Sequence, residues 1–238
     1  MSEKKNIKLP CLICPGREHS MFKDLSESDL KTISQNKTCI KYKKGQTLFY
    51  EGTRPMGLFC VNSGKVKVYK VSSEGKEQII KLAKPGDFLG YRALISDEFY
   101  NSSATVIEEG AICYIPQEDF IQVLHNNFEF FKLMAGKMAH ELGKTEKKLM
   151  TLAQKSVRER LATTLLMLKD NYGVDGAERD LINIALSRED LANIIGTATE
   201  SVIRLLSDFK TQQLISFQGK KIKILDTEGL IREADFQN

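Results

Sequence analysis

Two groups of residues in this sequence have types and spacings that could do chemistry. The first is Cys11-Leu12-Ile13-Cys14, followed by Pro15-Gly16. Two thiolates at C-x-x-C spacing can share a metal, and closed thiolate sites take four ligands. His19 and, if the fold allows, Cys113 are further candidates; the alternative is an arm with incidental thiols. Cys39 and Cys60 sit in apolar strand patterns and read as small core residues. The second group lies in residues 187–209. Ser187 and Asp190 give a capping-box-like start, Leu191, Ile194 and Ile195 an apolar face, and Gly196 a stop. Thr197 and Glu200 repeat the capping signal, and Val202, Leu205, Leu206 and Phe209 keep core spacing. Two short helices around a glycine turn form the helix-turn-helix pattern, though an ordinary core hairpin can look the same. Glu200, Arg204, Ser207 and Thr211 fall opposite the core face, on the stripe that would enter a DNA major groove.

The remaining elements must position these groups. Residues 213–226 read as two short strands around Gly219, with Ile222 and Ile224 alternating with Lys221 and Lys223. A lysine-edged hairpin after a helix-turn-helix is a winged helix, its wing lying along phosphates. From Cys39 to Pro116, short Val-, Ile-, Phe- and Tyr-bearing segments are broken by glycines. Turn signals about ten residues apart predict a β-barrel or jelly-roll-like domain. Residues 66–71 alternate like a half-buried strand, and residues 72–75 turn into a second strand over 77–82. Short helices are predicted over residues 21–33 and 92–95. Residues 128–152 read as one long helix. Along it Phe131, Ala135, Met138, Leu142, Thr145, Leu149 and Leu152 alternate steps of four and three, a heptad seam that predicts a partner helix and a homodimer. Residues 154–157 read as a hinge, 157–169 as an amphipathic helix and 171–179 as a surface loop.

The 238 residues suggest two domains, and the net charge of +4 permits a nucleic-acid partner without demanding one. No apolar run approaches a membrane span and the start carries no hydrophobic signal region, so a cytoplasmic protein without a membrane partner is expected. Five cysteines, an odd number, argue against a disulfide framework there. The three histidines, His19, His125 and His140, lie outside the β-segments, which removes a cupin-type metal enzyme. No P-loop or nucleophile–base motif appears, so no enzyme is expected.

With a β-domain, a dimer helix and a winged helix in this order, the chain resembles the CRP/FNR family of bacterial transcription regulators over roughly residues 20–235. The resemblance rests on Lys44-Gly45-Gln46-Thr47-Leu48-Phe49, Ser63-Gly64, Pro85-Gly86-Asp87-Phe88-Leu89-Gly90, Arg158-Glu159-Arg160-Leu161-Ala162 and Thr199-Glu200-Ser201-Val202-Ile203-Arg204-Leu205-Leu206. It implies an α+β chain: an N-terminal arm (1–24), a jelly-roll-like sensory β-roll (25–127), a dimerisation helix with its hinge (128–155), and a winged helix-turn-helix (156–238) that reads an inverted repeat in double-stranded DNA. It also implies that Glu200 and Arg204 read a G·C pair. The chemistry agrees, because arginine forks to guanine O6 and N7 and a carboxylate accepts from cytosine N4. Thr199 replaces the arginine of the cyclic-AMP receptor and Ile203 the serine of the oxygen-sensing branch, so the outer bases of the half-site are not fixed. Ser187, Ser201 and Lys221 complete the expected DNA-contacting set.

The implied effector pocket falls on Gly86, Phe88, Leu89, Gly90, Tyr91, Ser102 and Ser103. Cyclic-nucleotide binders carry Gly-Glu and then Arg-Ser where this chain has Gly90-Tyr91 and Ser102-Ser103. Without that arginine the cyclic phosphate loses its bidentate partner, so cyclic AMP is not the expected effector, and a different small ligand stays open. The oxygen-sensing branch holds a [4Fe–4S] cluster on three N-terminal cysteines and one near the end of the β-roll. Cys11, Cys14 and Cys113 match three of these, while Ser20, beside His19, stands at the remaining position. An iron–sulfur cluster, thiol-based redox sensing and an unliganded arm are all open at this point. RNA polymerase is an expected partner if the protein activates. A regulatory subunit that senses a nucleotide for a partner enzyme is the competing reading, and it would need the missing phosphate arginine.

Overall fold

Contacts divide the chain inside its longest helix, into one unit up to Glu141 and another from Leu142. The structure is a computed structural model that describes residues 11–173 and 180–234. Residues 174–179 of the expected loop, and residues 1–10 of the expected arm, lie outside the described residues.

The first unit begins with two short 3-10 turns, Cys11–Ile13 and Pro15–His19, and helix α1 (Glu27–Gln35). The helix starts later than residue 21 because Ser26 is its N-cap and accepts from the Asp29 N–H. Strands β1 (Thr38–Tyr42), β2 (Thr47–Phe49), β3 (Gly57–Val61), β4 (Lys65–Val71), β5 (Glu77–Ala83) and β6 (Phe88–Leu89) follow. Helix α2 (Tyr91–Ser96) leads to β7 (Ser103–Glu108), β8 (Gly110–Pro116), α3 (Gln117–Asn126) and α4 (Phe128–Gln154). Two antiparallel four-stranded sheets result, ordered β1-β8-β3-β6 and β2-β7-β4-β5.

Every residue of β3 is buried, because both of its faces are covered. Phe59 and Val61 join Phe49, Val66, Val68 and Ile112 in one core. Leu58 and Cys60 point into a second core, where Phe22, Leu30, Ile33, Phe120, Phe130 and Met134 cover the other side of the sheet. Each such large side chain taken out of water contributes about 1.5–3 kcal/mol. The segment before α1 is therefore packed rather than a loose arm, at least from Cys11: that residue is 5% exposed and the Phe22 ring lies 4.4 Å from that of Phe88. Gly86 makes this approach possible. Its φ is +92°, and a Cβ there would sit 2.5 Å from the His19 carbonyl oxygen.

In the second unit, Ser156 caps α5 (Val157–Tyr172) through a capping box with Glu159. Helices α6 (Arg188–Ile195) and α7 (Thr199–Thr211) are joined at Gly196, whose φ of +71° closes the turn. Strands β9 (Ile215–Gln218) and β10 (Lys221–Ile224) pair antiparallel around Gly219, and α8 (Thr227–Glu233) follows. Among the described residues no helix is long and apolar enough to cross a membrane.

Candidate nucleic-acid interface and sensory cysteines

Helix α7 separates its two faces cleanly. Val202, Leu206 and Phe209 are 0–1% exposed, whereas Glu200, Ile203, Arg204 and Ser207 face solvent. Among the described residues, Glu200 and Arg204 make no hydrogen bond or ion pair. The expected capping role of Thr197 and Glu200 is corrected, because the N-cap is Ala198 and carries no side-chain bond. The Glu200 carboxylate is thereby left for a partner outside the chain. Thr199 and Ser201 are half-buried on the first turn. The Ser187 hydroxyl is committed to the box that starts α6, accepting from the Asp190 N–H at 2.9 Å and donating to its carboxylate at 2.7 Å.

The wing keeps Ile222 and Ile224 buried and Lys220 exposed. Lys221 is half-buried and donates to the Asn183 side-chain oxygen. At the wing's base, the Arg188 guanidinium lies 4.6 Å from the centroid of the Phe217 ring. Two arginines, known from the sequence only as part of a motif, fix the frame. Arg158 pairs with Asp208 and Glu233, donates to Gln212 at 3.0 Å and covers Phe209, so one side chain ties α5 to α7 and α8. Arg160 donates to the carbonyls of Leu152, Lys155 and Gly196 at 3.2–3.3 Å, joining the end of α4 to the helix-turn-helix corner. Their i, i+2 spacing is visible in the sequence, but the partners that tie them to other elements, Gly196 for Arg160 and Asp208, Gln212 and Glu233 for Arg158, come from 36 to 75 residues away.

Along α4, Phe131, Ala135, Leu142, Thr145 and Leu149 are exposed, with Leu142 at 62% and Leu149 at 66%. Met138 and Leu152 are half-buried, and Met138 packs on its own unit's core. The adjacent face of the helix carries Phe130, Met134, Lys137 and Glu141. Lys137 reaches Asp87 at 3.7 Å, and Glu141 accepts from Lys81 at 2.5 Å and from the Tyr91 hydroxyl.

Several of the expected effector residues are engaged within the fold. Phe88 and Leu89 belong to the two cores, Tyr91 is spent on Glu141, and the Ser103 hydroxyl accepts from the Glu51 N–H. Ser102 is buried and Gly90 caps α2.

The cysteines depart most from expectation. Cys39 and Cys113 form a disulfide across β1 and β8, with Cα atoms 4.0 Å apart. The expected absence of disulfides is corrected, and Cys113 is not a free ligand here, because the strand register sets the two residues directly opposite each other. On the other side of β8, Cys113 faces Cys60 of β3. Cys11, Cys14 and Cys60 are free thiols. Cys11 Sγ lies 3.1 Å from Lys37 Nζ, and Cys14 donates to Asn62 Oδ1 at 3.0 Å. The Cys60 thiol is pushed far up in pKa, first by burial and then by the neighbouring sulfurs of Cys14 and Cys11. Ser20 cannot simply stand in for a thiolate. Its hydroxyl donates to the Arg17 carbonyl at 2.9 Å and accepts from the Phe22 N–H at 3.2 Å. Among the described residues, no three His, Cys, Asp or Glu side chains are gathered as a metal site.

A β-roll followed by a winged helix with a free polar stripe defines a DNA-binding regulator. Residues 39–127 match the cyclic nucleotide-binding domain family, and residues 159–233 match the Crp-like helix-turn-helix domain family. The anaerobic regulatory protein of Bacillus subtilis is 32% identical over 215 residues, covering 88% of this chain and 89% of that protein. The transcriptional activator protein FnrA of Stutzerimonas stutzeri is 30% identical over 190 residues, covering 79% and 77%. The structure of FixK2 from Bradyrhizobium japonicum shares the fold with a TM-score of 0.77 at 24% identity, covering 85% of this chain and 99% of that one. The chain belongs to the CRP/FNR family and is a DNA-binding transcription regulator, not an enzyme.

Proposed function

We propose that two copies of this protein pair along α4 and bind an inverted repeat in double-stranded DNA, under the control of the thiol state of the β-roll. The observation that carries this reading is the bare Glu200–Arg204 stripe, exposed on a helix whose other face is fully buried. Arg204 forks to guanine and Glu200 accepts from cytosine, while Thr199, Ser201 and Ile203 border the outer bases. Lys221 on the wing contacts phosphate and sets register, whereas Ser187, whose hydroxyl and N–H are engaged with Asp190, would have to leave its capping box to do the same. The exposed seam of Phe131, Ala135, Leu142, Thr145 and Leu149, with Met138 and Leu152 at its edge, supports the pairing, which spaces the two reading helices by about 34 Å, one turn of DNA.

In this reading the protein acts in the cytoplasm and contacts RNA polymerase where it activates. Cyclic AMP is not its effector, since Ser102 and Ser103 offer a cyclic phosphate no guanidinium. A small-molecule effector in the Gly86–Ser103 region would meet Tyr91, whose hydroxyl donates to Glu141. Redox control is favoured because all of the chain's cysteines but Cys14 lie in one core and two of them are already bonded. The test is competition binding with Arg204→Ala. Preference for the G·C pair should fall by about 1–3 kcal/mol. Equal loss on every DNA sequence would refute the base-reading role.

A further inference from the structure

Helix α7 exposes one apolar side chain beside a stripe of polar ones. Among the described residues of the helix-turn-helix, Ile203 is the large hydrophobic side chain left exposed, at 52%, while Val202, Leu206 and Phe209 on the buried face are 0–1% exposed. The exposed residues around it, Glu200, Arg204 and Ser207, all carry hydrogen-bonding groups. A lone exposed isoleucine on a surface that meets only water calls for no explanation. This one flanks the two residues proposed to read the G·C pair, three positions after Glu200 and one before Arg204. A helical side chain leans toward the helix N-terminus, so Ile203 covers the turn that bears Thr199 and Glu200. Isoleucine in a helix is nearly confined to one χ1 rotamer, so ordering it against a partner costs little entropy.

We propose that Ile203 is a specificity-determining residue that packs against the C5-methyl group of a thymine in the base pair next to the G·C pair. This deepens the DNA reading above and rests on it. The warrant is the chemistry of the groove. Base edges in the major groove present donors and acceptors, and the thymine methyl is the one apolar group among them. A purine at the same place offers Ile203 ring nitrogens, carbonyls or amino groups, which the side chain strips of water without returning a hydrogen bond. The half-site therefore holds an A·T pair beside the G·C pair, oriented so that its thymine faces α7. Taking one methyl group out of water against Ile203 is worth roughly fourfold in affinity per half-site. Thr199, four residues earlier on the same flank, is half-buried, and its hydroxyl can donate or accept, so it discriminates less between bases.

The test uses the full-length protein and duplexes that it enriches from a random pool. Each thymidine next to the G·C pair is replaced singly by deoxyuridine, which removes the methyl group and leaves every donor and acceptor in place. At one such position wild type should lose about fourfold in affinity per half-site, at low and high salt alike, because no phosphate contact changes. Ile203→Ala should bind more weakly and no longer distinguish the two bases there, whereas Ile203→Val should keep most of the distinction. Thermal melts separate a lost contact from a lost fold, and the wild-type comparison stands whatever the variants do. Equal binding of thymidine and deoxyuridine duplexes by wild type at every such position would overturn the proposal. So would an undiminished deoxyuridine loss in folded Ile203→Ala, or enriched sites with no thymine next to the G·C pair. Inverting the G·C pair in the same duplexes tests the underlying reading separately. Tolerance of the inversion refutes base reading by Glu200 and Arg204, while sensitivity to it without sensitivity to deoxyuridine refutes the role of Ile203 alone.

Discussion

The winged helix and the cysteine-bearing face of the β-roll place their functional groups in opposite ways. On α7 the groups that matter stand one helical turn apart, on a face defined by its own buried counterpart. In the β-roll the cysteines come from four separate stretches, and strand register sets Cys39 and Cys60 on either side of Cys113. The first arrangement is local and rigid, suited to reading a fixed pattern of donors and acceptors. The second is long-range, set by pairing between strands far apart in sequence.

Experiments can break or sharpen this contrast, and the largest effect is expected where the two regions must cooperate. Leu142→Asp with Leu149→Asp places four charges in the dimer seam. It should produce monomers and lower operator affinity by about 10²–10⁴-fold, since linked half-site binding is lost. Sedimentation and fluorescence anisotropy read both effects, and a monomer with undiminished affinity would contradict the pairing. Arg158→Ala should destabilise the winged-helix unit by about 1–2 kcal/mol. Its charge-assisted bonds are strong, but the side chain is 30% exposed and partly screened. Denaturant unfolding monitored in the second unit measures this, and an unchanged midpoint would remove Arg158 as the tie between α5, α7 and α8.

A smaller effect tests how α4 is held to the β-roll. Burial alone would raise the pKa of Glu141, but the charge and hydrogen bond of Lys81, with the Tyr91 hydroxyl, outweigh it and hold the carboxyl below its ordinary 4.5. A carboxyl depressed in the folded state stabilises at pH above its unfolded value, and that contribution is lost as pH falls through the lower folded value. Thermal melts of the full chain should therefore decline as acid is taken below 4.5, and Glu141→Gln should lose this part of the decline along with some neutral-pH stability. Identical acid limbs for both proteins would show that the network contributes nothing. Smallest of all, Lys221→Ala should weaken binding to every DNA sequence alike and reduce the salt slope by no more than about 1. A sequence-dependent loss would make the wing a reader of bases.

What could be read from the sequence follows the same division. Helix periodicity placed α4, α5, α6 and α7, and on α6 and α7 their buried residues, because the i, i+3, i+4 signal lies within a few turns of chain; on α4 the buried residues are Phe130 and Met134, off the heptad seam. Alternation placed β4 and β5 for the same reason. The bond between Cys39 and Cys113 spans 74 residues and depends on a register that no local pattern encodes. The same holds for Cys60, whose apolar neighbours mark it as a core residue and conceal that it faces Cys113. The Ala198 cap was missed because Thr197 and Glu200 have the right types one position out of place. In sequence Glu141 is one of several charged residues along α4, and only packing against Lys81 and Tyr91 distinguishes it.

The most direct test of the central claim is selection from a random pool of duplex DNA by the full-length protein, under reducing and under oxidising conditions. The account predicts enrichment of an inverted repeat whose half-sites are centred one helical turn apart and share a G·C pair. It predicts that the pair disappears from sites selected by Arg204→Ala, and that recovery from the pool differs between the two redox conditions. Enrichment of single half-sites, or the same sites from Arg204→Ala and in equal yield under both conditions, would contradict it.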